Sequence, residues 1–379
     1  MPISITGISS LSGIGNTVAE HAQAIQAGRS GLRPLSEFPH LNMDTGNLMG
    51  AWIEPRELML SRKWAPASQL AIHVAREAAK DAGLTGEELR RAAVIAGSSR
   101  GNAWLHDWPR RRAIKLMAAS NSMHGEIASA VTIELGIKGP WQVISSGCAA
   151  SLDAIGTASM MLRCGIVEHA IVIGVELPIV SSVIESYINT GVLSSSHIND
   201  PYSEATSGFH PGESASALVL QNAEQKLGPA LLGYWCNSDA DSPIGMPQDG
   251  AGLRDCLTQA REALGEAAPI RAVCPHASGT LLHAQAEQTA LLSALGNDQD
   301  ISLHLMKPFT GHTVGASGLL DTVICTHFLR EGLLPPNLPK LTSPAAPFSL
   351  PSSPQESNGT LLKIAVGMGG HNSIIALNK

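Results

Sequence analysis

Two hydrophobic periods alternate along the first half of the chain. Helical spacing of apolar residues marks 16–28 and 66–84, and Gly28 and Gly83 end these patterns. The unit 141–176 reads as strand, helix and strand, which predicts a parallel pair. Short apolar runs typical of buried strands lie at 3–10, 91–99, 141–147, 169–176 and 213–222.

A second set of elements begins near Gly228. The chain therefore divides into two αβ halves of similar size, 1–227 and 228–379, and the Pro- and Ser-rich segment 335–357 is expected to be a surface loop. The patterns of the second half predict a strand at 228–240, a helix at 252–267, a strand with a loop at 270–280, a glycine-rich helix at 311–332 and two strands around a tight turn at 361–378.

Composition narrows the class of protein. Of 379 residues 44% are hydrophobic, which is ample for a large core. The net charge of −7 argues against a nucleic-acid partner. No apolar run approaches the roughly 20 residues of a membrane span, and the N-terminus lacks the pattern of a secretory signal. The six cysteines form no CxxC pair, which favours a reduced, cytoplasmic chain.

Cys148 stands where a strand turns into a helix. Apolar residues follow it at 152, 155, 158 and 162, so one helical face packs on a core. Free N–H groups and the dipole at a helix start favour an anion, so we expect a lowered thiol pKa and a nucleophile. A buried structural cysteine is the alternative. The other five cysteines are interpreted as core residues: Cys164, Cys236, Cys256, Cys274 and Cys325.

Two of the fourteen histidines occupy unusual loops. His276 follows a strand, and His312 follows Gly311 and precedes a helix, where a lowered pKa would keep the imidazole neutral. Either can equally be an ordinary histidine, and Lys307 by itself reads as a solvated lysine. The turn 367–372, "GMGGHN", offers backbone N–H groups that could hold an oxyanion. A glycine turn between two strands more often serves only as the turn of a β-hairpin.

Together these segments resemble the β-ketoacyl-acyl carrier protein synthases of the thiolase superfamily, of the Cys-His-His type. "HASGTLLHAQAE" resembles the family's HGTxTxxxDxxE pattern, and "MKPFTGHTVGASG" resembles its KSxxGHxxGAxG pattern. The resemblance implies an α/β thiolase-like fold whose two halves form an αβαβα layered sandwich. The resemblance extends over nearly the whole chain, and the segments that carry it are 5–32, 145–165, 276–287, 306–318 and 367–372.

The resemblance also implies a reaction and a set of roles. A Cys-bound acyl chain would be extended by decarboxylative condensation with malonyl-acyl carrier protein to a 3-oxoacyl product. The implied roles are Cys148 as nucleophile; His276 and His312 as donors to the malonyl thioester; Lys307 as an orienting group; Glu287 as a buried partner near Lys307; the N–H groups of Cys148 and Met368, in the turn with Gly367 and Gly369, as oxyanion hole and gate; and Ser278 and Thr280 as pantetheine contacts.

Several positions depart from the family pattern, and they bear on substrate and rate more than on reaction type. The usual Phe of the glycine turn is replaced by a flexible methionine, so the gate can admit a different acyl chain. The departures are Pro275 and Ala277 around the first histidine, Ala284 for an aspartate, Met368 and His371 in the glycine turn, and Ser207 where "DGF" is often seen.

Other functions remain open at this point. A non-catalytic chain-length-factor-like subunit shares the fold, and Met368 is atypical. A degradative thiolase would need a second cysteine in the glycine turn, and an acyl-CoA-primed ketosynthase would have Asn in place of His312. A zinc hydrolase could use His283, Glu287 and His276, but no HExxH occurs, so we expect no metal.

The resemblance implies partners as well. An acidic acyl carrier protein would bring the substrate on its pantetheine arm, with no other cofactor, and would dock on a basic patch. Candidates are Arg62, Lys63, Arg110 and Arg111, with an ordinary solvated surface as the alternative. We expect a dimer that pairs central strands, either a homodimer or a heterodimer with a chain-length-factor-like homologue. The departures favour an aryl-polyene-like pathway over housekeeping synthesis.

Overall fold

The structure is a computed structural model that describes residues 3–39, 41, 43–103, 116–222, 227–296 and 300–379. Its strands are β1 (Ile3–Ser12), β2 (Arg33–Pro34), β3 (Met49–Gly50), β4 (Ala93–Gly97), β5 (Trp141–Ile144), β6 (His169–Glu176), β7 (Ser214–Asn222), β8 (Ala230–Ser238), β9 (Ile270–Cys274), β10 (Ser302–Leu303), β11 (Leu333–Leu334), β12 (Gln355–Glu356), β13 (Thr360–Gly367) and β14 (His371–Asn378).

The helices alternate with these strands. They are α1 (Val18–Gln26), α2 (Pro66–Asp81), α3 (Gly86–Arg91), α4 (Leu116–Asn121), α5 (Glu126–Leu135), α6 (Ala150–Arg163), α7 (Ser181–Thr190), α8 (Ala251–Leu264), α9 (Leu281–Leu295), α10 (Lys307–Thr310) and α11 (Ser317–Arg330).

Ten strands form one sheet in the order β10-β9-β13-β14-β8-β1-β7-β6-β4-β5. Numbered separately along each half of the chain, the five strands of either half follow the same order, 3-2-4-5-1. The halves meet where β1 pairs with β8 in antiparallel register. This internal repeat confirms the expected fold of two similar αβ halves. The boundary at 227/228 lies between β7 and β8 and stays a prediction.

The five strands of each half form a half-sheet, and two helices lie between the two half-sheets. Almost every side chain of α6 and α11 is buried, which requires a helix that is apolar or small on all sides. Close approach depends on glycine: a Cβ at Gly318 would lie 2.9 Å from the Cβ of Leu152. Helices α2 and α5 cover the N-terminal half-sheet, and α8 and α9 cover the C-terminal one. The layers are therefore αβαβα, and the loops preceding α6 and α11 meet inside the molecule.

Some expectations from the sequence were wrong in detail. Strands β5 and β6 are both parallel to β4, which lies between them, so they are not direct neighbours. The glycine-rich segment 311–332 becomes helical only from Ser317. Of the cysteines assigned to the core, Cys164 and Cys236 are exposed.

Six helices were not predicted from the sequence: α3, α4, α5, α7, α9 and α10. The first is only six residues long. The apolar residues of α9 are distributed around the whole helix, so they produce no stripe that periodicity could detect. In the part of the chain that the structure describes, every helix is too short or too polar to cross a bilayer.

Candidate active site

Cys148 lies in a tight turn between β5 and α6. A short 3-10 helix, Gly147–Ala149, precedes α6, and Gly147 has φ of 62°, a left-handed conformation that favours glycine. A Cβ at Gly147 would also approach the backbone nitrogen of Met368 to 3.2 Å. The expected apolar face of α6 is buried. The turn therefore presents the thiol at the interface between the two halves.

One candidate histidine contacts this thiol, and the other packs against the first. The Nε2 atom of His312 lies 3.2 Å from the Sγ atom of Cys148. The rings of His276 and His312 meet edge to face with centroids 5.2 Å apart. Phe209 packs edge-on against His312 at 5.1 Å from the other side. Three residues separated by 164 positions of sequence thus form one compact, buried cluster.

Hydrogen bonds indicate which nitrogen of each ring carries the proton. The backbone N–H of Val366 donates to Nδ1 of His276 at 3.3 Å, so this nitrogen is an acceptor and the proton is on Nε2. The Ser317 hydroxyl accepts from Thr313 at 3.3 Å and lies 3.1 Å from Nδ1 of His312, so its own hydrogen is available to donate to that nitrogen. Both imidazoles can therefore present Nε2–H as a donor.

Burial makes the cluster electrically neutral. Desolvation, followed by the charge of Lys307, lowers the pKa of both His276 and His312 well below 6.5. Burial also raises the pKa of the Cys148 thiol to about 11, and Lys307 opposes this only in part. The expected lowering of the thiol pKa was wrong, because desolvation outweighs the contributions that lower it, those of Lys307, Arg100 and the Met368 N–H.

Lys307 is a buried cation, and the carboxylates of Asp321 and Glu287 both act on its charge. Its Nζ atom lies 3.8 Å from Oδ2 of Asp321 and makes no hydrogen bond to any described residue. Asp321 pairs more closely with Lys363, at 2.5 Å, and Lys363 also donates to the carbonyl of Pro275 at 3.2 Å. The sequence analysis missed Asp321 and Lys363. A lone lysine within an otherwise apolar strand was the available signal for Lys363.

Glu287 has a different contact from the one expected. Its carboxylate accepts the backbone N–H groups of His276 at 2.6 Å and Ala277 at 2.8 Å, and it lies 3.4 Å from Nε2 of His283. Burial alone would raise its pKa, but these partners hold the pKa below the ordinary value. Glu287 therefore braces the loop that carries His276, and the direct carboxylate partner of Lys307 is Asp321.

Backbone strain accompanies both histidine loops. Ala277 has φ of 44° and Val314 has φ of 45°, a left-handed region that residues with a Cβ adopt at a cost. One residue directly follows His276 and the other comes two after His312. Such strain persists only where surrounding contacts impose it. The Glu287 carboxylate is such a contact for the first loop.

The glycine turn joins β13 to β14 next to the nucleophile. Gly367 pairs with His371, and Gly369 and Gly370 have φ of 93° and 74°. The backbone N–H of Met368 donates to the Cys148 thiol. Met368 itself is 54% exposed, whereas Cys148 is buried.

Family comparison agrees with this arrangement. The model of the β-ketoacyl synthase N-terminal domain matches residues 1–226, and that of the C-terminal domain matches residues 230–340. The chain belongs to the β-ketoacyl synthase family. A 3-oxoacyl-[acyl-carrier-protein] synthase 2 of Synechocystis is 27% identical, over 99% of this chain and 97% of the relative. The protein is accordingly a condensing enzyme of fatty-acid or polyketide synthesis.

Solved structures share the fold of this β-ketoacyl synthase throughout. The ishigamide ketosynthase/chain length factor superposes with a TM-score of 0.86 at 25% identity, covering 100% of this chain and 99% of the other. A type II polyketide ketosynthase in complex with its acyl-carrier protein also has a TM-score of 0.86, at 22% identity over 100% and 99% of the two chains. The thiolase-like fold expected from the sequence is confirmed.

The pantetheine candidates of this β-ketoacyl synthase lie on the loop after His276. The hydroxyl oxygens of Ser278 and Thr280 are 3.3 Å apart. Asn199 donates to the carbonyl of Ser278 at 3.4 Å, and Thr206 donates to that of Gly279 at 2.5 Å. The latter two side chains also line a cavity of about 240 Å³. The loop is thus held by two side chains that belong to the wall of this cavity.

The proposed carrier-protein patch is only partly described. Arg110 and Arg111 lie outside the described residues. Arg62 is exposed, and Lys63 forms an ion pair with Glu134 at 2.7 Å. Lys63 therefore has a partner within the chain, and its availability to a carrier protein stays a prediction.

The residues considered for a zinc site in this β-ketoacyl synthase are otherwise engaged. Glu287 accepts two backbone N–H groups, and the rings of His276 and His283 pack edge to face at 4.7 Å. Within the described ranges, no group of three or more His, Cys, Asp or Glu side chains is placed to hold a metal ion.

Proposed function

We propose that Cys148, His276 and His312 are the catalytic residues of a decarboxylative ketosynthase that extends acyl groups carried by an acyl carrier protein. One observation carries the proposal: the Cys148 sulfur lies 3.2 Å from Nε2 of His312, with His276 against the same ring. A nucleophile and two neutral N–H donors in one dry site are what this chemistry requires.

The first step is acyl transfer. The Cys148 sulfur attacks the carbonyl carbon of the acyl thioester, the bond to the pantetheine sulfur breaks, and the thiol proton ends on the departing pantetheine. The N–H groups of Cys148 and Met368 would stabilise the oxyanion. Ser278 and Thr280 would position the pantetheine arm.

The second step is decarboxylative condensation. The bond between the malonyl carboxylate and its methylene carbon breaks, CO₂ leaves, and the electron pair passes to the thioester oxygen as an enolate. The Nε2–H groups of His276 and His312 would hold that oxygen. The enolate carbon then attacks the Cys148 thioester, which releases a 3-oxoacyl product and a thiolate that takes up a solvent proton. Lys307 would support both neutral imidazoles through its field.

The partners follow from this reaction and from related proteins. We infer an acyl carrier protein as the substrate carrier, in line with the related ketosynthase complex. An exposed edge strand supports dimerisation through β5, whose Trp141 is 45% exposed. A sister chain is as suitable a partner as a second copy. We place the protein in the cytoplasm, in a pathway of the aryl-polyene kind.

The second candidate function is a non-catalytic chain-length-factor-like subunit. Two observations favour it: Met368 at the glycine turn is exposed, and one matched structure contains a chain length factor. Such a subunit would share the fold but would accept no acyl group.

Mass spectrometry separates these functions. Purified protein is incubated with acyl carrier thioesters of several chain lengths, and peptides are analysed for an acyl adduct. We expect the adduct on Cys148, none in a Cys148→Ala variant, and 3-oxoacyl carrier protein after malonyl carrier protein is added. Absence of any adduct across all chain lengths would overturn the catalytic proposal in favour of the subunit.

A further inference from the structure

A cluster of charged and polar side chains lies next to the turn Gly147–Ala149, which carries Cys148 and is called the nucleophile turn below. Nε2 of His371 is 2.9 Å from Oδ2 of Asp153, a charge contact rather than an aligned hydrogen bond. The same carboxylate accepts the hydroxyl of Ser146 and, at 2.9 Å, that of Tyr234. Asp153 is buried, and His371 is 30% exposed on its side chain. None of these residues takes part in the reaction steps above.

The cluster connects the two segments that form the oxyanion hole. Ser146 precedes Cys148 by two residues, and Asp153 lies in the first turn of α6. His371 is the first residue after the glycine turn and pairs across it with Gly367. The two segments already touch, since a Cβ at Gly367 would lie 2.3 Å from the carbonyl oxygen of Ser146.

We propose that His371 and Asp153 act as a positioning clamp that holds the glycine turn against the nucleophile turn, so that the Met368 N–H points at the reacting thioester oxygen. The inference rests on the proposed function for its chemistry. It assigns a purpose to His371, one of the positions at which this chain departs from the family pattern.

The charges of the clamp are set by its surroundings. The Asp153 contact raises the pKa of His371 above 6.5, against the effect of partial burial. Burial alone would raise the pKa of Asp153, but His371 and Ser146 more than offset it and hold the pKa below the ordinary value. The other titratable groups nearby are Tyr234 and Cys236 of β8 and Asp239 beyond its end. The clamp is therefore fully charged below the His371 pKa and weakens as pH rises through it.

The test compares two reactions of the same sulfur. Acyl transfer from the acyl-pantetheine that labels wild type fastest uses the oxyanion hole, whereas alkylation of Cys148 by iodoacetamide does not. In His371→Asn we expect acyl transfer to fall about tenfold, less than outright loss of an oxyanion donor, with alkylation unchanged within about twofold. Peptide-resolved mass spectrometry is required because Cys164 and Cys236 are also exposed.

Further variants and a pH series serve as controls for this test. His73→Asn changes a half-buried histidine on α2, outside the site, and should leave both rates unchanged. Asp153→Asn should reduce acyl transfer, and the double variant should be no slower than Asp153→Asn alone. In wild type the rate of acyl transfer divided by the rate of alkylation should fall as pH rises through the His371 pKa. In His371→Asn this ratio should not change with pH. The clamp would be overturned if His371→Asn transferred acyl groups as fast as wild type, or if its acyl transfer and its alkylation slowed by the same factor.

A second measurement does not depend on activity. Hydrogen exchange of the amides at 367–370, corrected for intrinsic rates, should be faster in His371→Asn and should lose its pH dependence. If wild type accepts no acyl group but this difference persists, the proposed function fails and the clamp stands. Identical exchange in the two proteins would overturn the clamp itself.

Discussion

The nucleophile turn and the two histidine loops reach the same site by different means. Cys148 is placed by a local strand–turn–helix unit whose glycine and apolar spacing are visible in sequence. His276 and His312 are placed by irregular loops held by groups distant in sequence, such as the Val366 N–H for the first and the His210 carbonyl for the second. The first arrangement is local, and the second requires the whole fold.

Burial acts on both regions and drives both toward neutrality. Desolvation disfavours any charge, so it raises the pKa of the thiol and lowers that of both imidazoles. Lys307 distinguishes the regions, because it reinforces neutrality in the histidines and opposes it in the thiol. A neutral site is therefore the resting state, and the charges of the reaction appear only when substrate is bound.

The largest expected effect tests the histidine side of the comparison. His276→Asn and His312→Asn should each slow decarboxylation of malonyl carrier protein about 10²-fold or more, because each removes an enolate donor. Release of CO₂ without an acyl primer is measured, with His73→Asn as the control. A loss smaller than threefold in both variants would show that neither ring holds the enolate.

The raised pKa of the Cys148 thiol is tested by measuring its reactivity as a function of pH. Because burial raises the thiol pKa to about 11, alkylation of Cys148 should still rise about tenfold between pH 9 and pH 10. A thiol with the ordinary pKa of about 8.5 would gain little over that interval. Initial rates of iodoacetamide labelling on the Cys148 peptide provide the measurement. A plateau near pH 8 would restore the helix-start argument and contradict the dominance of burial.

Lys307→Met tests the group that acts on both regions. The variant should fold, since Lys363 still neutralises Asp321 at 2.5 Å. Without Lys307 the imidazole pKa values rise, so decarboxylation should fall about three- to tenfold relative to wild type as pH is lowered to 6. The thiol pKa also rises, so alkylation should be slower at any pH below 9. Unchanged profiles for both reactions would remove Lys307 from the electrostatics of the site.

The smallest effect concerns the strained loop. Ala277→Gly relieves a left-handed alanine at φ of 44° and should stabilise the folded state by up to about 1 kcal/mol. Thermal unfolding measures the change, and Gly265→Ala, at another left-handed position, should shift the melting temperature in the opposite direction. A lower melting temperature for Ala277→Gly would mean that the buried methyl group contributes more than the strain costs.

Much of the fold could be predicted because its patterns are local. Strand β6 is a short apolar run that is buried on both faces, and helix α2 buries the one face on which its apolar residues recur. Both signals can be recognised from residues that are close together in the sequence. Helix α9 could not be predicted this way, because apolar residues also occupy its exposed positions, as at Leu281 and Leu282, and the buried face includes His283 and Glu287. Motif resemblance singled out Cys148, His276, His312 and Lys307 and expected Glu287 near Lys307, but it could not show that the Glu287 carboxylate accepts the backbone N–H groups of His276 and Ala277.

By itself, the sequence determined the two halves, the nucleophile turn and the order of the motifs, since these depend on spacing within about twenty residues. The tertiary structure alone decided which carboxylate faces which lysine, that Asp153 meets His371, and that burial raises the pKa of the Cys148 thiol. These outcomes depend on distances between residues far apart in the chain and on the water that packing excludes, and neither quantity is encoded in local spacing.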